Sequence, residues 1–383
     1  MGLRRFELRS PAPQAGRIVL ATLQPHPHIY GNFTFSFILI KGDPFSVRLK
    51  MGRDENLKGL EGSREVKGVR IVDHMRVDEL VEELRGCAFG AGRLAKAVEI
   101  YEEMLKEETT KFMGIAGALV PAGMRNILAE MIRERYVDVV VTTGANLVHD
   151  IIEALGEHHY TIGDVGANVD IPVDDVRLRN HGFDRIYEVV VHNEAFARLE
   201  DFLRGVFGDL SRKKYSINEL LTVIGENLSD RDSLLRSAVD SGVPVFCPSI
   251  ADSMIGLHIW MYKQTGSLEI DAFTDMKELI DLFCDAKRTG ALILGGGVPK
   301  NFIFQAAMVA PRANGREGLD YAIQITTKTP EDGSLSGATL EEAKSWGKIG
   351  EKAKIVTLYC DATIALPILM AAVRERMLRM RRP

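Results

Sequence analysis

The chain has 383 residues, 46% of them hydrophobic, and its 48 basic and 53 acidic side chains leave a net charge of -5. That length holds two or three domains or one large α/β domain with a sizeable core, and the mildly acidic balance argues against nucleic acid as the main partner. No apolar run approaches the roughly 18 residues that would cross a bilayer. The four cysteines, Cys87, Cys247, Cys284 and Cys360, lie far apart without a Cys-x-x-Cys pair. This argues against a zinc knuckle or a disulfide scaffold and leaves them as reduced core thiols.

The chain begins Met1-Gly-Leu-Arg-Arg, and Ile18 to Leu23 makes a short apolar run that Gln24-Pro-His-Pro-His interrupts. The run is too short for a targeting segment, so a cytoplasmic location is expected. Residues 1–65 read as an N-terminal extension of uncertain status, with Met51 or Met75 as other candidate starts, and Ile29 to Ile40 is aromatic and β-branched enough for a strand. Residues 66–111 read as a helical segment. Two amphipathic helices are predicted between Val77 and Lys111, divided at Phe89-Gly-Ala-Gly92.

From residue 112 to 383 apolar strand runs alternate with amphipathic helices, the pattern of a Rossmann-like, mostly parallel sheet covered by helices on both faces. Strands are predicted at Phe112 to Ala116, Val137 to Thr142, Arg185 to Val191, Val243 to Pro248, Ala291 to Leu294, Tyr321 to Thr326 and Ile355 to Cys360. Helices are predicted over Ala122 to Arg135 and from near Val148. Turns at the carboxyl ends of such strands are where open α/β sheets hold ligands, and free helix amides there suit phosphate. No Gly-x-Gly-x-x-Gly occurs, so the first two turns carry little cofactor signal by themselves. The triple glycine Gly295-Gly-Gly297 permits close backbone approach, and Asp252 and Asp361 place carboxylates after strands, suited to ribose hydroxyls or an ammonium.

One further stretch stands apart, Gly333-Ser-Leu-Ser-Gly-Ala-Thr-Leu-Glu-Glu-Ala-Lys-Ser-Trp-Gly-Lys348. Thr339 with Glu342 reads as a capping box, so a short helix should run from Leu340 through Lys344 and stop near Gly347, leaving Lys348 just beyond it. Beside the face of Trp346, a partly dry pocket would lower a lysine pKa and free its amine to form an imine. A surface lysine after a helix fits the same spacing, which decides nothing by itself.

The segments Phe112 to Arg125, Val137 to Gly144, Asp184 to Tyr187, Ile293-Leu-Gly-Gly-Gly-Val298, Asp332-Gly-Ser334, Ser345-Trp-Gly-Lys-Ile349 and Cys360-Asp-Ala-Thr363 together resemble the deoxyhypusine synthase family in the same order, over about residues 70 to 375. The resemblance implies an NAD-dependent transfer of an aminobutyl group. NAD would oxidise spermidine beside its secondary amine, 1,3-diaminopropane would leave as the imine passes to Lys348, and the imine would then move to an acceptor lysine on a hypusine-type translation initiation factor, where the NADH reduces it. It implies NAD at Gly117, Ala118, Leu119, Val120 and Pro121, at Thr143, Gly144 and Ala145, and at Asp252, Gly296, Thr327, Lys328, Asp361 and Ala362. Substrate would meet Asn301, Gly333, Ser334, Glu342 and Trp346. A homotetramer with sites at dimer interfaces is implied as well.

The chain departs from that family where acidic residues give way to Val148, His149, Leu257 and Leu335, and where a histidine gives way to Asn301. An unpaired buried ammonium costs several kcal/mol, so polyamine recognition should differ, with Asp252 and Glu342 left to grip one ammonium. The same imine also allows transfer to a free diamine such as putrescine, as in a homospermidine synthase, and the lost acids fit a noncatalytic NAD- or polyamine-binding homologue. His149, expected at a helix start, reads either as a proton shuttle or as a solvent-facing residue. Glu157, His158 and His159 read as a polar loop, with no spaced third ligand and no metal expected. The tail from Arg374 to Arg382 reads as a solvated basic helix end.

Overall fold

A computed structural model describes residues 21–23, 35–37, 65–162, 174–211, 214–310, 315 and 317–380. The chain divides into two compact units, Met1–Glu65 and Val66–Pro383. In the first, β1 (Ala21–Leu23) pairs antiparallel with β2 (Phe35–Phe37). The rest of the predicted strand from Ile29 to Ile40 lies outside the described residues.

The second unit begins with α1 (Val77–Leu84) and α2 (Phe89–Lys106), which pack on each other. The break between them comes before the glycines and not at them, because Gly90 and Gly92 form the first turn of α2. Gly92 is small there for a reason of packing. A Cβ on it would lie 2.3 Å from the Cys87 carbonyl oxygen.

Next come β3 (Thr109–Ile115), a π-helical turn Val120–Met124, α3 (Arg125–Arg133), β4 (Val139–Thr142) and α4 (Gly144–Ala154). The fourth helix therefore starts four residues before Val148, and His149 lies inside it. The chain then makes β5 (His159–Thr161), α5 (Asp175–Asn180), β6 (Phe183–Ile186) and β7 (Val189–His192), a separate antiparallel sheet of three strands in the order β5-β7-β6. The predicted strand from Arg185 to Val191 is thus a hairpin outside the main sheet. Tyr187, with a φ of 55°, turns the chain there, a conformation no periodicity reveals.

Helix α6 (Glu194–Gly208), β8 (Lys214–Tyr215), α7 (Ile217–Glu226) and α8 (Leu234–Ser241) lead to β9 (Val245–Phe246), α9 (Met254–Tyr262), β10 (Glu269–Ile270) and α10 (Ala272–Asp285). The last third contains β11 (Arg288–Leu294), α11 (Gly297–Val309), β12 (Leu319–Thr326), α12 (Leu340–Ser345), β13 (Ile349–Tyr359) and α13 (Ala362–Met380).

Six strands form the main sheet in the order β13-β12-β11-β3-β4-β9, with every neighbouring pair parallel. Counted within this sheet the order is 6-5-4-1-2-3, the doubly wound Rossmann arrangement, whose ligand crevice lies at the carboxyl ends where the order reverses. Here that is between β3 and β11. The two faces are covered by different layers. Val140, Met113 and Ile323 point into a core shared with α2, α3, α4 and α13, while Val139, Phe112 and Ile293 point into one shared with α10, α11 and α12. Of the cysteines only Cys247 is buried; all four are free.

Candidate active site

Two glycine turns flank the reversal point. The turn after β3 reaches Gly117, and the turn after β11 is Gly295 to Gly297, with Ala116 N donating to Leu294 O at 2.9 Å across them. Gly117 (φ 86°) and Gly297 (φ 57°) are left-handed, and nothing lies within 4 Å of where their Cβ atoms would be. Open space beside exposed backbone is what a closely approaching ligand needs. The neighbouring glycines are held small by packing. A Cβ on Gly144 would fall 2.4 Å from Ser253 Cβ, and one on Gly296 would fall 2.5 Å from Ser336 Cα. At the end of β4 the Thr142 hydroxyl is buried, with no partner among the described residues.

Lys348 approaches from the other end of the sheet, because it immediately precedes β13. Helix α12 begins where Thr339 Oγ1 accepts from Glu342 N at 3.0 Å, half of a capping box. It ends in a Schellman motif, with Gly347 (φ 69°) left-handed, Gly347 N donating to Lys344 O at 3.0 Å and Lys348 N to Ala343 O at 3.1 Å. The half-buried Lys348 side chain then reaches α11, which runs back from the carboxyl edge. Its Nζ donates to Asn301 Oδ1 at 3.3 Å and lies 5.4 Å from the centre of the Trp346 ring. Trp346 is itself 62% exposed. The expected dry pocket is therefore open in the single chain, for no described element covers that ring.

A second lysine, Lys300, lies one residue before Asn301 on α11. It is buried, and its ammonium donates to Gln324 Oε1 (2.9 Å), Leu335 O (3.2 Å) and Ala338 O. Burial brings its pKa down to about 8, against the pull of Glu342 and helped by repulsion from Lys348. Gln324 Nε2 in turn donates to Gly295 O (2.9 Å) and Ser336 O (2.8 Å). The segment from Leu335 to Ala338 is thereby fastened over the glycine turn. A single buried lysine inside a helix leaves no periodic signal in the sequence.

The sequence model of the deoxyhypusine synthase family matches residues 79–373. A protein named probable deoxyhypusine synthase from Methanosarcina thermophila is 55% identical over 82% of this chain and 95% of its own length. The chain belongs to the deoxyhypusine synthase family. One named probable deoxyhypusine synthase 1 from Archaeoglobus fulgidus is 45% identical over 79% of this chain and 95% of its own length. The crystal structure of an Entamoeba histolytica protein assigned to deoxyhypusine synthase shares the fold, with a TM-score of 0.55 at 18% identity, over 80% of this chain and 96% of that one.

For this deoxyhypusine synthase family member, every position at which the resemblance places NAD follows one of the six parallel strands. Their roles differ. Leu119, Val120 and Pro121 have buried side chains, the first two in the core, so they face a ligand only through backbone. Asp361 caps α13, accepting from Thr363 N and Oγ1 at 2.7 Å each. Asp252, Thr327, Lys328, Gly333 and Ser334 are exposed. Ser334 Oγ donates to Asp332 Oδ1 at 2.6 Å.

His149 sits apart from Lys348. Its helix α4 belongs to the layer on the opposite face of the sheet, and its partners are His159 and Phe196. His159 belongs to β5, with its side chain largely enclosed, and is not part of a polar loop. Burial, with repulsion from His159, lowers the His149 pKa to about 4, against the pull of Glu153. Among the described residues no cluster of three or more His, Cys, Asp or Glu side chains is placed to hold a metal, and no helix is long and apolar enough to cross a membrane.

Proposed function

We propose that the chain is an NAD-dependent aminoalkyl transferase of the deoxyhypusine synthase type, acting on spermidine or a related polyamine. The observation that carries this reading is Lys348, half-buried, held by Asn301 and faced by Trp346. A lysine so placed can attack an imine carbon and store the carbon chain covalently until an acceptor lysine arrives. The proposed acceptor is a hypusine-type translation initiation factor precursor.

The open turns at Gly117 and Gly297 and the unpartnered Thr142 hydroxyl, together at the reversal point, support NAD at this edge. NAD bound there would accept a hydride from the donor and later return it. Thr143, Ala145 and the backbone around Gly117 and Gly296 would hold it. The open face of Trp346 and the two layers that separate His149 from Lys348 favour a site completed by a second copy of the chain, in a homotetramer. The neutral Asn301 and the exposed Leu335 and Leu257 favour a donor bearing fewer charges at that end than spermidine. A cytoplasmic location fits such substrates.

The test is borohydride trapping of the purified protein with NAD and a panel of amines, followed by peptide mapping. An added mass on Lys348 that Lys348→Ala abolishes is expected. Demonstrable NAD binding with no adduct from any amine would remove the transferase reading in favour of a binding protein.

A further inference from the structure

A chain of hydrogen bonds runs through the α4 layer, on the face of the sheet opposite Lys348 in the single chain. Glu153 Oε1 meets His159 Nδ1 at 2.8 Å, and His159 Nε2 meets His149 Nδ1 at 2.9 Å. The two imidazoles stand nearly edge to face, with centres 4.9 Å apart. Arg125 of α3 lies 3.7 Å from the other Glu153 oxygen, while its main partner is the buried Asp150, which also takes the first amides of α8. From α6, Phe196 packs against His149. The outer nitrogen of His149, Nε2, has no partner among the described residues and is not sealed from solvent. It lies on the helix that begins at Gly144, directly after the edge of β4.

The proton positions follow from this order. A carboxylate only accepts, so His159 carries its proton on Nδ1. An uncharged His159 then accepts at Nε2, which makes His149 Nδ1 the donor and leaves a lone pair on His149 Nε2. We propose that Glu153 and His159 are positioning residues that work through His149 as a one-proton relay, with the donor amine at its open end. This rests on the transferase reading.

An amine donor reaches the site from neutral water as an ammonium, and only the free amine can yield a hydride from the neighbouring carbon. In the relay the N–H bond of that ammonium breaks and its proton goes to His149 Nε2. The Nδ1 proton of His149 passes to His159 Nε2. The products are a neutral amine, a neutral His149 and a His159 imidazolium paired with the Glu153 carboxylate. The positive charge ends two hydrogen bonds away from the substrate. An imidazole at 149 can thus replace a carboxylate, because Glu153 supplies the negative charge behind it.

The test uses the full chain labelled with 15N-histidine, studied by magic-angle-spinning NMR without NAD or amine, with His149 assigned by the signal lost in His149→Gln. A proton on His149 Nδ1 is expected; a resting proton on Nε2 overturns the relay. This readout needs no turnover and so fails separately from the transferase reading. In turnover, His159→Gln and the isosteric Glu153→Gln should each lower kcat about 10- to 100-fold with KM nearly unchanged. Glu153→Gln added to His149→Gln should cost nothing more, since groups acting as a unit are not additive. Wild-type kcat in both variants, or additive losses, would overturn the proposal. The expected tautomer in a chain that never labels Lys348 would sink the transferase reading and with it the relay's substrate.

Discussion

Gly296 and Ser336 cross so closely that a single methyl group does not fit between them. A Cβ on Gly296 would lie 2.5 Å from Ser336 Cα and 2.9 Å from its Cβ, and the next amide, Gly297 N, donates to Ser336 Oγ at 3.0 Å. The contact fixes the segment after Gly333 on the glycine turn that borders the crevice. Gly296→Ala must push backbone away, which costs about 1–3 kcal/mol in stability. The loss in trapping rate at Lys348 should exceed that in a Gly205→Ala control inside α6, where nothing lies within 4 Å of the added Cβ. Chemical denaturation and borohydride labelling of both variants would check this, and equal labelling by wild type and Gly296→Ala would show that the segment does not matter to the site.

Asn301 sets the charge that Lys348 meets. Its amide oxygen accepts from Nζ at 3.3 Å without bringing a negative charge. Asn301→Asp would place a carboxylate there, which favours the ammonium and withdraws the nucleophile. Imine trapping at pH 7 should slow by about tenfold in Asn301→Asp and recover as pH rises, whereas the uncharged Asn301→Leu should lack that added slowing. A flat pH response in Asn301→Asp would mean that Lys348 is not the attacking group.

Much of this arrangement was legible before the structure. The strand runs after Lys111 were found because a parallel sheet buries both faces and so leaves uninterrupted apolar stretches. The end of α12 was found because Thr339 and Gly347 are local signals whose partners lie within a few residues. What stayed hidden depends on distance along the chain. Lys300 and Gln324 meet across 24 residues, and Asp150 takes the amides of Leu234 and Leu235 from more than 80 residues away. His159 looked like a loop residue because its burial is supplied by α4 and not by its own neighbours. The need for Gly144 and Gly296 to be small was equally hidden, because the serines that fill their space belong to other turns.

Lys300→Met keeps the length of the side chain and removes the ammonium. Three acceptors, Gln324 Oε1, Leu335 O and Ala338 O, then lose their donor, and a cost of about 2–3 kcal/mol is expected at pH 7. The pH dependence gives a second sign. With a folded pKa of about 8 against about 10.4 unfolded, the unfolded chain binds more protons between those values, so this lysine makes stability rise with pH there. The urea midpoint at pH 10 should therefore fall relative to that at pH 8 in the variant when compared with the wild type.

His149 acts on the acid side. Its folded pKa of about 4 lies below the 6.5 of a free imidazole, so the folded state excludes a proton that the unfolded chain accepts. Its contribution is complete above about pH 6.5 and is lost as pH falls toward 4, by about 3 kcal/mol at most for a shift of this size. Asp275, raised to about 6 by burial, works in the opposite sense over much of the same interval. The wild-type curve alone therefore understates the histidine. The difference between wild type and His149→Gln isolates it, since Asp275 is common to both. Urea midpoints at pH 7 and pH 4.5 should fall further in the wild type than in His149→Gln, while Asp275→Asn should steepen the acid loss. Parallel acid limbs in wild type and His149→Gln would mean that His149 takes up its proton in the folded chain as readily as in water, and the helix layer around His159 and Phe196 would then be more open than its packing indicates.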